Sequence, residues 1–335
     1  KRWANLAWPK GAKLSGFSKP YVRSRCNTEE RLSHTENQKR TPPTCKIGRN
    51  QKMDKTMNTV KLNNGIEIPQ MGYGVYQVSP AECERCVSDA LSMGYRMIDT
   101  AQAYHNEEGV GNAVSKSGID RKEIFLVSKV WISNYGYEKA KASIDESLRK
   151  LQTDYIDLML LHQPFCDRYG AYRALEEAYK EGKLRAIGVS NFYPDHFIDI
   201  ASNMEIVPAV NQVETHVFEQ QTEAQKIMEE FGTHIMSWGP FAEGRNGLFT
   251  NMQLAEIGMK YGKSVAQVAL RWLIQRGVII IPKSTHIERM RQNIEIFDFS
   301  LSDEDMAAIA TLDTGKSLFF DHHDAETARM FMGWR

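Results

Sequence analysis

An eightfold alternation between residues 71 and 295 narrows the folds open to this chain more than any other feature. Short apolar runs of strand length alternate there with segments of helical period. Strands are expected at 71–76, 95–99, 124–130, 155–161, 185–189, 208–213, 234–238 and 278–281. Helices are expected at 80–93, 107–117, 137–150, 170–181, 194–202, 220–231, 264–275 and 286–295. Ser79 can cap the first helix, Pro80 suits its first turn, and Asn106 can cap the second. Eight βα units point to an α/β chain folded as a (β/α)8 TIM barrel. The rival, a doubly wound sheet, needs Gly-x-Gly-x-x-Gly after its first strand. Gly72-Tyr73-Gly74 has Gln77 in the third position, and Gly109-Val110-Gly111 has Val114 there. Both matches fail, so the barrel is expected. Ahead of it, Val60, Leu62, Ile66 and Ile68 flank Asn64-Gly65, which reads as an N-terminal β-hairpin.

Composition bears on what surrounds this body. The 42 Lys and Arg balance the 42 Asp and Glu, but residues 1–56 hold 14 of the former against 4 of the latter. The remainder is therefore acidic, which gives no reason to expect nucleic acid as a partner. Residues 1–56 are basic, rich in Ser, Thr, Asn and Pro, and show no apolar period. They are expected to be a disordered leader outside the fold, with residues 57–335 forming the barrel. Five cysteines, few and odd in number, suit a reducing, cytoplasmic setting. No apolar run is long enough for a membrane helix.

A barrel carries its chemistry at the C-terminal ends of its strands. Those ends read Asp99, Lys129, His162, Ser190-Asn191, Gln212, Trp238 and Lys283-Ser284, with Tyr104 one loop beyond Asp99. Singly, each has a plain structural explanation; a lone histidine is more often a satisfied core residue than an acid. Together, Asp, Tyr, Lys and His would ring one mouth. Tyrosine, with a pKa of ~10, is a poor acid at neutral pH, and a neighbouring ammonium is expected to lower that value. A carboxylate would hold the lysine, and a histidine would orient a carbonyl oxygen. The set suits protonation of an oxygen as hydride arrives at its carbon.

These residues carry a resemblance. GYRMIDTAQAYHNEEGVGNAV (94–114), FLVSKVW (125–131), YIDLMLLHQP (155–164), GVSNF (188–192), VNQVE (210–214) and IPKS (281–284) stand in order on the expected elements. Over 57–335 the chain resembles the aldo-keto reductase family, in its bacterial 2,5-diketogluconate reductase-like and prostaglandin F synthase-like branch. The resemblance implies a catalytic tetrad of Asp99, Tyr104, Lys129 and His162, with Tyr104 as proton donor. It also implies that Ser190, Asn191 and Gln212 bind a nicotinamide carboxamide and that Trp238 stacks on its ring. Lys283, Ser284 and Arg289 would grip an adenosine 2′-phosphate with Asn293 near the adenine, so NADP(H) is the implied cofactor. The implied partner is a small-molecule carbonyl substrate, and a monomer is expected. Gln163 follows His162, and Tyr76 ends the first expected strand, both where many members carry Trp. With Trp131, these two are the expected pocket walls, and Gln163 would offer a substrate both a donor and an acceptor.

The alternative function is a nucleotide-sensing regulatory subunit on the same barrel, similar to potassium-channel β subunits. The intact Asp-Tyr-Lys-His set argues against it. Cys83-x-x-Cys86 could be redox-active, but it falls within a helix where both residues share a face. Asp321-His322-His323-Asp324 could hold a metal, yet a polar C-terminal loop is the commoner case, so no metal is expected. Phe319 and Phe320 are expected to pack in a tail over the barrel mouth. The glycine-containing stretch 239–250 suits a loop that closes over a cofactor.

Overall fold

The structure, a computed structural model, describes residues 58–335. The expectation of a disordered leader over 1–56 lies outside the described residues. The hairpin is present: β1 (Thr59–Lys61) and β2 (Glu67–Pro69) pair antiparallel, with Val60 opposite Ile68. Gly65, at φ +87°, takes the left-handed backbone that its turn requires.

Eight strands then follow in parallel and in chain order. They are β3 (Tyr73–Gly74), β4 (Met97–Asp99), β5 (Phe125–Val130), β6 (Ile156–Leu161), β7 (Leu184–Ser190), β8 (Val210–Glu214), β9 (His234–Trp238) and β10 (Ile279–Ile280). A parallel bridge between Met71 and Ile280 closes the ring, with Gly72 N donating to Ile280 O at 2.8 Å and Ile280 N to Gln70 O at 2.9 Å. The (β/α)8 architecture is therefore as expected. The two seam strands are shorter than the sequence suggests, because beyond Gly74 the chain turns away through Gln77 at φ +58°.

The helices that follow the strands are α1 (Pro80–Ser92), α2 (Glu107–Lys116), α3 (Tyr137–Leu151), α4 (Arg168–Lys180), α5 (Pro194–Asn203) and α6 (Thr222–Glu230). After β9 come α7 (Met252–Tyr261) and α8 (Val265–Gln275), and after β10 come α9 (Ile287–Ile294), α10 (Asp303–Ala310) and α11 (Ala325–Met332). Sequence periodicity does not reveal α7, α10 or α11. Each presents a weak apolar stripe: α7 leaves Met252 and Met259 exposed, and α10 and α11 each bury one large side chain, Ile309 and Phe331.

Period-two alternation sorts the strand residues onto two faces. Met97, Phe125, Val127, Leu158, Leu160, Val210, Met236 and Ile279 fill the interior, and Leu62 and Ile68 of the hairpin join them. Ile98, Leu126, Met159, Ile187, Val213 and Ile235 face the helices. Gly188 lies where a Cβ would come within 2.3 Å of Val210 O, so only glycine fits that crowded interior position. The same parity carries Asp99, Lys129, Ser190, Gln212 and Trp238 onto the inner face at the C-terminal ends.

The tail crosses that end as expected. Ser317 Oγ donates to Glu214 Oε2 at 2.5 Å, and Leu318 N donates to Glu214 Oε1 at 2.8 Å. Phe319 lies edge-on to Trp238 at 5.1 Å, and Phe320 packs on Phe331 of α11 at 5.7 Å.

Candidate active site

Two neighbouring inward positions, Asp99 at the end of β4 and Lys129 on β5, make the centre. Lys129 Nζ meets Asp99 Oδ1 at 2.6 Å, and both side chains are almost wholly buried, at 0% and 2% exposure. Burying an ion pair costs several kcal/mol unless its remaining groups are hydrogen-bonded. Here Nζ also donates to Thr100 O at 2.8 Å, and Gln212 Nε2 donates to Asp99 Oδ2 at 2.9 Å. The pair is thereby fixed in place.

A short 3-10 turn, Gln102–Tyr104, closed by His105 at φ +56°, brings the Tyr104 ring above this pair. Lys129 Nζ lies 5.0 Å from its centroid. His162, just past β6, meets the same ring edge-on at 5.6 Å, and Tyr76 packs against it at 5.0 Å. The structure thus brings together the four residues expected to form a tetrad.

Their protonation differs in one respect from expectation. Burial holds Lys129 below the usual ammonium range, although Asp99 opposes this. Burial, aided by the Lys129 charge, holds His162 well below 6.5, so it is neutral near pH 7. The Tyr104 phenol is pushed up rather than down, by burial first and then by Asp99 and Tyr76. The ammonium does not lower it because its charge is engaged by Asp99. Tyr104 therefore keeps its proton.

Beside the tetrad runs a polar row. Ser190 Oγ donates to Gln212 O at 2.8 Å, and Asn191 Nδ2 donates to His162 O at 3.0 Å. Asn191 sits at φ +64°, a left-handed conformation that Asn tolerates better than most residues. Trp238 Nε1 donates to Asn191 Oδ1 at 2.8 Å, laying the indole along this row. Lys283 and Arg289 are exposed just before and within α9, and neither has an ion pair or hydrogen bond among the described residues. Ser284 is turned inward: its Oγ accepts from His286 N at 3.1 Å. Asn293 is buried on α9.

The expected pocket walls separate. Tyr76 is 48% exposed at the mouth, and Trp131 stands edge-on to His162 at 5.1 Å. Gln163 is 6% exposed, and its Oε1 lies 2.9 Å from His322 Nε2 of the tail. The Gln163 carbonyl oxygen is therefore paired within the protein, in place of the open acceptor expected from sequence.

Two supporting residues escape sequence reading. Gln102 Oε1 accepts from Trp131 N at 3.0 Å and from Asn134 Nδ2 at 2.8 Å, while its Nε2 donates to Ser143 O and Ser147 Oγ, both at 3.1 Å. Asn106 does not cap α2 with its side chain. It accepts from Thr100 Oγ1 at 2.8 Å and donates to Val75 O at 3.0 Å and Val78 O at 3.1 Å, tying the Asp99 loop to the Tyr76 loop. Their partners are backbone and side-chain groups far along the chain or in neighbouring loops, which no residue pattern announces.

Cys83 and Cys86 are buried in α1, and burial pushes the Cys83 thiol up to about 12, away from reactivity. His322 points into the protein, whereas His323 is exposed beside Asp195. Among the described residues, no cluster of three or more His, Cys, Asp or Glu side chains is placed to hold a metal ion. The stretch after β9 takes left-handed conformations from Glu243 to Gly247, interrupted at Arg245, whose guanidinium lies 4.1 Å from the Phe319 ring centroid.

Comparison with known proteins agrees with this geometry. The model of the Aldo/keto reductase family matches residues 65–314. A glyoxal reductase of Bacillus subtilis is 47% identical over 257 residues, covering 76% of this chain and 92% of that protein. The crystal structure of an aldo/keto reductase from Brucella melitensis is 44% identical with a TM-score of 0.74, covering 77% of this chain and 100% of that one. A Bombyx mori aldo-keto reductase, solved in complex with NADP, is 32% identical with a TM-score of 0.75, covering 81% and 96% of the two chains.

Proposed function

This chain belongs to the aldo-keto reductase family of oxidoreductases, and from that premise we propose that it reduces a small aldehyde or ketone to an alcohol with NADPH, Tyr104 giving the proton. One observation carries the reading: the buried Lys129–Asp99 pair lies beneath the Tyr104 ring, with a neutral His162 against its edge.

The residues present suit the dinucleotide. Lys283 and Arg289 are cations without partners among the described residues, as a 2′-phosphate requires. Ser190, Asn191 and Gln212 supply hydroxyl and amide groups to a carboxamide, and Trp238 supplies a flat face beside them. The Bombyx mori neighbour's NADP complex supports the same choice. Bound there, NADPH supplies the hydride.

Every remaining step falls to this chain. Neutral His162 can donate one N–H to a carbonyl oxygen and so orient it towards Tyr104. As charge grows on that oxygen, it becomes a stronger base than a phenolate, and the Tyr104 proton moves to it even from a raised pKa. Lys129 then faces a phenolate and stabilises it, while Asp99 keeps the ammonium in position. Tyr76 and Trp131 stand beside Tyr104 and His162, and the glyoxal reductase relative makes a 2-oxoaldehyde the substrate class to try first.

The test follows NADPH absorbance with methylglyoxal, a diketo-sugar acid and a bulky aromatic ketone. Methylglyoxal should give the highest kcat/KM and the aromatic ketone the lowest. Failure to turn over any of the three would refute the reading.

A further inference from the structure

The chain leaves β6 through His162, and the next side chain, Gln163, turns towards a residue 159 positions away. That residue, His322, belongs to the tail and is only 5% exposed. It lies nearly parallel to the ring of Phe165 (6.1 Å, 12°) and to that of Phe331 on α11 (5.6 Å, 21°), with Tyr193 at 5.4 Å. Such a setting suits an apolar ring, yet an imidazole occupies it and uses its Nε2 on the Gln163 amide. The Gln163 backbone is held independently: Tyr135 Oη donates to its carbonyl at 2.8 Å and accepts from its N–H at 3.0 Å. The backbone that carries the amide is therefore anchored on the barrel side of the contact.

The tail has other ties near this point, among them Phe319 edge-on to Trp238, His323 at 3.8 Å from Asp195 and Met332 Sδ at 3.9 Å from Cys166 Sγ, and the His322 contact adds a hydrogen bond to a buried amide. Its root is held at Glu214 by Ser317 and Leu318. Beyond His322, α11 has eight residues, too short to be stable without packing. Only Phe331 is buried on it, against Trp131 at 6.5 Å and Phe165 at 5.4 Å; Trp334 follows at 6.3 Å from Trp131. Trp131 in turn meets His162. His322 stacks on Phe331, so its position bears on where Phe331 and Trp334 sit, and these two lie against Trp131 beside His162.

We propose that His322 is a positioning residue for the reaction: by latching the tail to Gln163 it holds α11 over Trp131 and confines the pocket to small carbonyls. The proposal rests on the carbonyl-reductase reading above for its kinetic consequence, but the latch itself is a structural claim.

Both sides can be measured on the full chain with His322→Leu, Gln163→Leu and the double variant. For methylglyoxal, each single change should raise KM by ~2- to 10-fold, the value of one neutral hydrogen bond, with kcat unchanged within about twofold. The preference for methylglyoxal over a bulky aromatic ketone should fall by a similar factor. The double variant should be no worse than either single one, because both break the same contact. His322→Gln, which can still bond Gln163, should recover most of the preference. Trypsin cleavage after the exposed Arg329 on α11 should quicken in His322→Leu and Gln163→Leu but not in His322→Gln. Additive losses, a fall in kcat with KM unchanged, or unchanged cleavage would overturn the latch. If wild type reduces no carbonyl, the functional reading fails while the cleavage rates still decide the latch. If His322→Leu does not fold, Gln163→Leu against His322→Gln decides it.

Discussion

Tyr104 shows how one residue's chemistry depends on where its neighbours spend their charge. Its phenol is held well above the usual tyrosine range, by burial first and then by Asp99 and Tyr76. In the proposed reaction it is therefore the donor, giving its proton as an oxyanion develops beside it. Tyr104→Phe keeps the ring and removes the proton, so kcat for methylglyoxal should drop ~10²–10⁴-fold, the usual range for a lost general acid. The Kd for NADPH, read by quenching of tryptophan fluorescence, should not move; near-normal turnover would remove Tyr104 from the mechanism. Lys283 and Arg289 make a second case. Charge-assisted hydrogen bonds are worth ~1.5–3 kcal/mol, and exposure places these two at the lower end. Lys283→Ala and Arg289→Ala should each weaken NADPH binding by about tenfold while NADH binding stays level. A wild type that binds both dinucleotides equally would contradict the choice of NADPH. The tetrad is legible in the sequence because strand parity and position at strand ends are written in the residues themselves. Gln102 and Asn106 are not, since their work consists of bonds to groups on other loops and on α3 whose positions exist only after folding.

At the scale of elements, the eight βα units can be read because each strand is a compact apolar run followed by a segment of helical period. The tail cannot be read so fully. Phe319 and Phe320 hint at a cover for the mouth, but α11 has too few buried positions to register as periodic, and the Gln163–His322 contact spans nearly half the chain. That contact has a consequence with pH. Burial lowers His322 from 6.5 to about 4, with Glu214 and Asp321 opposing and His323 assisting. Between those values the unfolded chain binds a proton that the folded chain does not, so stability falls as pH drops from 6.5 to 4 and levels off below. The full effect is on the order of 3 kcal/mol. Glu219 titrates with the opposite sign, because its carboxyl is raised from 4.5 to about 7 and favours the fold at low pH. The wild-type curve alone mixes the two. The difference between wild type and His322→Leu isolates the histidine: the variant's thermal midpoint should decline less over that window. Parallel curves would show that His322 is not buried as a neutral ring.

For the whole molecule, the question is what the barrel needs in order to stand. Its interior is closed at one end by Leu62 and Ile68 of the hairpin and crossed at the other by the tail, and its ring is sealed at Met71 and Ile280. Each of these parts belongs to residues 58–335, and the family match covers 65–314. Residues 1–56 are basic and without an apolar period, so their sequence offers no face to bury. A chain lacking 1–56 should therefore keep its kcat/KM for methylglyoxal within about twofold and its thermal midpoint within a few degrees, as a segment whose sequence has no apolar period predicts. Trimming into the hairpin should behave differently. Leu62 and Ile68 are 2% and 0% exposed, and losing both strips the barrel floor of two core side chains. A cost of ~2–5 kcal/mol for each such truncation would take a large share of a domain's stability. Deletion to residue 56 and deletion to residue 70 thus bracket the boundary of the fold. If the shorter deletion already lowers the midpoint by ten degrees or more, the basic segment contributes packing that its composition does not show.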